Sequence, residues 1–230
     1  MINSRESENN NLGLKYRLYL PEIKSNKCLL LVHGRAGNSN VMWIFTKALM
    51  DKRCTIIAPQ AFEEDEIGGY SWWEIGGNKD KSGDVLIDDS YLFESVSKLE
   101  KFIENIKTEY GVNEIIAFGF SQGAGLISSL AVKNPKLFTG IAMLSGFLPT
   151  PARYELENSK IGSDIKSKDL PNIFMFHGSK DEIIKFERAK KDSQILSKHS
   201  KNLTFVQDEV GHKVSSTGIK ELGKWLEKVY

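Results

Sequence analysis

The sequence contains no long hydrophobic run and no apolar stretch near its start. The strongly apolar run over residues 28–32 is far too short to cross a bilayer, which needs about 20 residues. The first 11 residues are rich in Asn, Ser and Glu and lack the apolar core of a signal peptide. We therefore expect a cytoplasmic protein without integral membrane association.

An excess of one charge is also missing, and cysteines are few. The chain has 31 Lys and Arg against 30 Asp and Glu, a formal net charge of +1. Binding to nucleic acid needs a basic surface, so this balance argues against such a partner. Cys28 and Cys54 lie within or beside apolar runs and are expected to be buried free thiols. Cysteine and histidine are not clustered at zinc-site spacing, so we expect no metal.

The length and the patterning predict one domain over residues 1–230, with residues 1–11 as a flexible polar segment. Apolar runs alternate with helical patterns, which predicts a mostly parallel, twisted sheet with helices on both faces. Residues 60–82 and 149–169 are expected to be irregular. The predicted strands are residues 14–20 (alternating, antiparallel and near a sheet edge), 27–32, 55–58, 114–118, 140–144, 173–176 and 203–206.

A glycine-flanked serine follows one of these predicted strands. Residues 119–123 read GFSQG, a G-x-S-x-G motif with a strand before it and a helix of small residues after it. In this context the serine lies on a sharp turn that exposes its hydroxyl group, and glycines allow the strand and helix to approach closely. We interpret Ser121 as a nucleophile rather than as an incidental serine in a glycine-rich turn.

A base and an acid for this serine follow later strands. A serine hydroxyl needs a base to remove its proton, and a carboxylate to orient that base. His212 follows the last predicted strand, and Asp181 lies just beyond the strand over 173–176, with Glu182 as the second candidate. The chain order Ser–Asp–His is that of α/β-hydrolases. The remaining histidines are interpreted as structural: His33 and His177 as partners of a loop, and His199 as exposed.

The oxyanion of a tetrahedral intermediate needs about two backbone N–H donors. One is expected from Gln122, the residue after the nucleophile, and the other from Arg35 in the loop after the first buried strand. The Arg35 side chain is expected to be solvated or to meet an anionic part of the substrate.

The substrate pocket is predicted from apolar residues near these groups. Trp72 and Trp73 are adjacent in the long irregular segment, so one of them, taken as Trp73, is expected to line the pocket while the other packs inward. Each further candidate follows a strand that carries a site residue, and each is equally an ordinary core residue. These candidates are Phe147, Leu148, Ile183 and Val214.

The motifs LLVHGRAGN, SWWEI, GFSQGA, HGSKDEII and GHKVS, in this order, resemble the phospholipase/carboxylesterase family of α/β-hydrolases, which includes small carboxylesterases and acyl-protein thioesterases. The resemblance extends from about residue 14 to the end. The family usually has HGxG where this chain has Ala36 in place of the second glycine. An acidic residue common soon afterwards is absent at Gly37 and Asn38, and SWWEI replaces an SWFD-like stretch.

The resemblance implies hydrolysis of carboxylic esters or thioesters through an acyl-enzyme, without a cofactor. The chain has no large lid insertion, which favours small substrates with short-to-medium acyl groups. A homo-oligomer is compatible with the sequence. Two alternatives stay open: a dienelactone-hydrolase-like or peptidase-like hydrolase, and a non-catalytic ligand-binding protein on the same fold.

Overall fold

The computed structural model describes residues 6–49, 54–74, 89–158, 169–200 and 202–230. Strands and helices alternate along most of this part of the chain. The strands are β1 (Glu6–Asn9), β2 (Tyr16–Tyr19), β3 (Lys27–Val32), β4 (Thr55–Pro59), β5 (Glu63–Glu64), β6 (Tyr70–Ser71), β7 (Glu114–Phe120), β8 (Gly140–Leu144), β9 (Asn172–Gly178) and β10 (Leu203–Asp208). The α-helices are α1 (Ile44–Leu49), α2 (Asp89–Tyr110), α3 (Gln122–Lys133), α4 (Thr150–Asn158), α5 (Phe186–Leu196) and α6 (Ser216–Val229).

Eight strands form one sheet in the order β1-β2-β4-β3-β7-β8-β9-β10, while β5 and β6 pair as a separate antiparallel hairpin. From β4 to β10 the neighbouring strands of the sheet are parallel. The predicted fold class is confirmed. β2 is antiparallel to β4, as its alternating pattern predicts, and it lies second from the edge because β1 pairs outside it.

Both faces of the sheet are covered, which explains the continuous apolar runs of the central strands. In β3, Leu30 and Val32 pack on one side with residues of α2 and α3. Leu29 and Leu31 pack on the opposite side with Trp225 of α6. Successive side chains of a strand point to opposite faces, so KCLLLV supplies both layers of the core.

Part of the N-terminal segment predicted to be flexible forms a strand instead. Glu6–Asn9 pairs antiparallel with Tyr16–Tyr19, and an ion pair of 2.6 Å joins Arg17 to Glu6 across the two strands. Residues 1–5 lie outside the described residues. A polar edge strand has no buried face and therefore lacks the apolar alternation that identifies a strand from sequence.

The two segments predicted to be irregular also contain regular structure. Residues 150–158 form α4, whose buried positions Ala152 and Leu156 are four residues apart and give only a weak helical pattern. Residues 63–64 and 70–71 form the β5–β6 hairpin. Residues 75–82 and 159–168 of these two segments lie outside the described residues.

Both cysteines are buried free thiols, as predicted. Burial raises the pKa of the Cys28 thiol well above its usual range. Among the helices that the structure describes, none combines the length and the apolar character needed to cross a membrane.

Candidate active site

The three predicted triad residues follow strands whose carboxyl ends lie at the same edge of the sheet. Ser121 comes directly after β7, Asp181 lies three residues beyond β9, and His212 lies four residues beyond β10. These strands belong to the run β7-β8-β9-β10, in which all neighbours are parallel. The carboxyl ends of parallel strands meet at one edge, so this topology brings distant parts of the chain together.

Ser121 occupies the sharp turn between β7 and α3. Its backbone has φ 51° and ψ −114°, a conformation that L-residues rarely adopt. The flanking glycines are required by contact with neighbouring backbone. A Cβ atom on Gly123 would lie 2.3 Å from the carbonyl oxygen of Val32, and one on Gly119 would lie 2.4 Å from that of Gly123. The motif therefore has the geometry that its sequence context predicts.

A continuous hydrogen-bond chain links the three side chains. His212 Nε2 lies 2.9 Å from Ser121 Oγ, and His212 Nδ1 lies 2.8 Å from Asp181 Oδ2. Because a carboxylate oxygen only accepts, the Nδ1 nitrogen carries the proton and donates to Asp181. The Nε2 lone pair then accepts from the Ser121 hydroxyl group, which is the arrangement a general base needs.

The Asp181 carboxylate is buried and fixed by its own loop. Its Oδ1 atom accepts hydrogen bonds of 2.9 Å from the backbone N–H groups of both Ile183 and Ile184. This leaves Oδ2 directed at the histidine. Glu182, the second candidate for the acid, is exposed to solvent.

His177 is a further residue of this site, and the sequence assigned it only a structural contact with a loop. Its Nε2 atom lies 2.8 Å from the carbonyl oxygen of Ile184 and 3.3 Å from Asp181 Oδ2, the oxygen that also accepts from His212. Burial lowers the pKa of His177, so the ring is neutral near pH 7. Its Nε2–H group donates to Ile184 and lies beside the carboxylate.

The other two histidines, His33 and His199, are not part of the hydrogen-bond chain through Ser121, His212 and Asp181. His33 is buried, with Nδ1 donating to the carbonyl oxygen of Gly34 at 2.6 Å and Nε2 accepting from the N–H of Ala61 at 3.0 Å. This contact with loops agrees with its predicted structural role. The prediction for His199 was wrong, because that side chain is buried at the end of α5 rather than exposed. A charged sequence neighbourhood does not reveal that one side of the segment packs inward.

The loop after β3, residues 33–37, approaches the nucleophile from the other side. A Cβ atom on Gly34 would lie 3.2 Å from Ser121 Cβ and 3.1 Å from the carbonyl oxygen of Phe120. The Arg35 side chain is partly exposed and is paired with two carboxylates of the chain. Its Nε and Nη2 atoms donate to the two carboxylate oxygens of Asp65 at 2.8 and 3.3 Å, and Nη2 also donates to Glu66 at 3.0 Å.

The Gln122 side chain has a role that the motif alone does not indicate. Its Oε1 atom accepts from the N–H of Trp72 at 2.9 Å, and its Nε2 atom donates to the carbonyl oxygen of Trp73 at 2.8 Å. The indole N–H of Trp72 donates to the carbonyl oxygen of His33 at 2.8 Å. The residue after the nucleophile thus holds the two tryptophans against the loop that contains Arg35.

The five residues predicted to form the pocket differ in their exposure. Trp73 and Leu148 are fully buried in the core, which favours the packing role left open for them. Phe147 is half-buried, with the Arg188 guanidinium 4.8 Å from its ring centre, and Val214 is half-buried too. Ile183 is 72% exposed.

The profile of the phospholipase/carboxylesterase family matches residues 17–230. The chain belongs to this family. The resemblance predicted from the motifs is confirmed, and so is the enzyme class at family level, a carboxylesterase- or thioesterase-type hydrolase. The family match covers every residue placed in the site above.

Named relatives and solved structures agree with this assignment. An acyl-protein thioesterase 1 of Yarrowia lipolytica is 27% identical over 215 residues, which are 87% of this chain and 90% of that protein. One from Candida albicans is 30% identical over 166 residues, 69% and 68% of the two chains. A carboxylesterase from Mesorhizobium loti has the same fold, with a TM-score of 0.79 at 19% identity over 97% of this chain and 99% of that one.

Proposed function

We propose that this member of the phospholipase/carboxylesterase family is a serine hydrolase that cleaves carboxylic esters or thioesters through an acyl-enzyme. The observation that carries the proposal is the hydrogen-bond chain from Ser121 through His212 to Asp181. In the first half-reaction, His212 takes the hydroxyl proton as Ser121 attacks the acyl carbon, and then gives that proton to the leaving alcohol or thiol. Water repeats the sequence on the acyl-enzyme and releases the acid.

The developing oxyanion would be stabilised by the backbone N–H groups of Gln122 and Arg35. Gln122 is the first residue of α3, so its N–H has no acceptor within the helix and lies at the positive end of the helix dipole. Gly34, the neighbour of Arg35, packs directly on the Ser121 turn. Two such donors are what a tetrahedral intermediate needs.

We further propose short-to-medium acyl substrates and a cytoplasmic location. Phe147, Ile183 and Val214 all keep exposed surface, and they are the proposed apolar contacts of the acyl group. Ile183 and Val214 each lie two residues after a triad residue, and Phe147 lies three residues after β8, the neighbour of β7. The relatives named as acyl-protein thioesterases favour thioesters among the candidate substrates. The preformed triad favours hydrolysis over a ligand-binding role on the same fold.

The test compares the wild type with Ser121→Ala on p-nitrophenyl acetate, butyrate and octanoate and on matched acyl thioesters. We expect kcat/KM to fall by about 10⁴-fold or more, because the nucleophile is lost while the fold is retained. A fluorophosphonate probe should label Ser121 in the wild type alone. Activity that survives the substitution would exclude Ser121 as the nucleophile, and a wild type that neither turns over nor reacts would favour ligand binding.

A further inference from the structure

The loop after β3 contains an alanine in a conformation that favours glycine. Ala36 has φ 56°, and it stands where the family usually has the second glycine of its HGxG motif. The left-handed region brings the Cβ atom of an L-residue too close to its own backbone, and alanine has no polar side chain to compensate. The turn is closed by one hydrogen bond of 3.2 Å, from Gly37 N–H to the carbonyl oxygen of Gly34. Such a conformation persists only when its surroundings support it.

The support comes from the β5–β6 hairpin. The N–H of Ala36 donates to Ser71 Oγ at 3.1 Å, and the N–H of Tyr70 donates to the carbonyl oxygen of Gly37 at 2.8 Å. The hairpin also approaches very closely, since a Cβ atom on Gly69 would lie 2.2 Å from the carbonyl oxygen of Ala36. The hairpin thus binds the N–H group of Ala36 and the carbonyl oxygen of the next residue, Gly37.

One carboxylate connects these contacts. Asp65 Oδ2 accepts from Ser71 Oγ at 2.6 Å and from Arg35 Nε at 2.8 Å, and Oδ1 accepts from Arg35 Nη2 and from the N–H of Ile67. The Asp65 side chain is only 6% exposed. Arg35 lowers the pKa of Asp65 to about 2, so the carboxylate stays ionised at neutral pH. It orients the Ser71 hydroxyl group and holds the side chain of the residue that precedes Ala36.

We propose that Asp65 is a positioning residue of the oxyanion hole, which acts through Arg35 and Ser71 to keep Ala36 left-handed and the Arg35 N–H directed at the reacting carbonyl. The inference rests on the proposed function, in which that N–H is an oxyanion donor. The Arg35–Asp65 ion pair contributes little to stability by itself, because the Arg35 side chain is partly exposed and solvent screens the charge. The distinctive consequence is an effect on the chemical step that a change at Ala36 can reverse.

The central experiment compares Asp65→Asn with wild type on p-nitrophenyl butyrate. We expect kcat to fall by about 10- to 100-fold with KM within about twofold, because a misplaced donor weakens the transition state while the acyl contacts remain. Glu66→Gln is the matched control. It removes the other carboxylate on Arg35, which is 81% exposed, and should leave kcat within about twofold.

Rescue separates positioning from general damage. In the double variant Asp65→Asn/Ala36→Gly, glycine adopts the left-handed conformation without support, so most of the lost kcat should return. Ala36→Gly alone should have near wild-type activity. Melting temperatures of all the variants show whether each one is folded.

The outcomes are distinct. Wild-type kcat in Asp65→Asn overturns the inference, and so does a loss that Ala36→Gly fails to reverse, which would mark Asp65 as merely structural. A wild type that hydrolyses no ester and takes up no fluorophosphonate overturns the proposed function, and the inference with it. A reactive wild type with an unaffected Asp65→Asn overturns the inference alone.

Discussion

Two loops support Ser121, one directly through Gly34 and the other through His212, and the structure holds them in different ways. Both begin with a buried histidine and a glycine at the end of a strand: His33-Gly34 after β3, and His177-Gly178 at the end of β9. In the 177–184 loop the side-chain contacts are local, since Asp181 binds the N–H groups two and three residues ahead, and the long-range contacts are backbone hydrogen bonds from Ser179 and Lys180 to residues 208 and 210. In the 33–37 loop they are long-range, from Arg35 to Asp65 and from Ala36 to Ser71.

This difference indicates which substitutions should disturb each of the two loops. The 177–184 loop, called the acid loop below, is held by backbone hydrogen bonds, both within the loop and to residues 208–210, so a side-chain substitution elsewhere in the chain has little access to it. The 33–37 loop depends on side chains about 30 residues away and includes an alanine with a left-handed backbone. We expect single substitutions in and around the β5–β6 hairpin to affect the 33–37 loop and to leave the acid loop intact.

The largest effect is expected from Asp181→Asn. An amide oxygen can still accept from Ile183 and Ile184, but this directs the NH₂ group at His212 Nδ1. The ring is then held with its proton on Nε2, where it cannot accept from Ser121. We expect kcat to fall by about 10⁴-fold, measured with p-nitrophenyl butyrate across pH 5–9. Glu182→Gln is the control and should have wild-type kcat; equal losses in both variants would contradict the assignment of the acid.

A smaller effect concerns stability at low pH and sharpens the comparison of the two histidines. Burial lowers the pKa of His33 to about 4, from an ordinary value of 6.5. Between these values the unfolded chain binds a proton at His33 that the folded chain does not. The contribution of His33 to the free energy of unfolding is therefore complete above pH 6.5 and is lost as the pH falls to about 4. This group accounts for up to about 3 kcal/mol of that loss.

Urea unfolding of the wild type and His33→Asn at pH 7, 6, 5 and 4 tests this expectation. The variant should have a lower free energy of unfolding at pH 7 and a shallower decline toward pH 4. His177→Gln serves as the comparison from the other loop, because burial lowers the pKa of His177 as well and its removal should also flatten the curve. Parallel curves for the wild type and His33→Asn would show that His33 has the same pKa in the folded and the unfolded chain, which would contradict the expectation.

The smallest expected effect tests whether the backbone hydrogen bonds of the acid loop are enough to hold Asp181 in place. His177→Phe removes the donor to Ile184 and the N–H beside Asp181 Oδ2, so we expect kcat to fall by about 10-fold, the equivalent of one hydrogen bond. Gln places an amide nitrogen near the position of the imidazole Nε2, so His177→Gln should recover most of the activity. Equal kcat in the wild type and His177→Phe would show that the backbone contacts are sufficient.

The fold and the positions of the three triad residues could be predicted from short, local patterns. Apolar runs indicated the central strands, and GFSQG, HGSKDEII and GHKVS each follow one of them within a few residues. Because the strands are parallel, location after a strand was enough to predict that the segments converge. The polar strand β1 and the helix α4 were missed, since neither has a strong apolar period.

What the sequence by itself determined is where Ser121, His212 and Asp181 lie, because each belongs to a motif whose local context predicts its position. Only the tertiary structure decided how the 33–37 loop beside Ser121 is supported. The partner of Arg35, the left-handed Ala36 and the burial of both tryptophans depend on contacts between segments about 30 or more residues apart. Such contacts leave no period or motif in the chain, because each partner alone is an ordinary charged, small or aromatic residue.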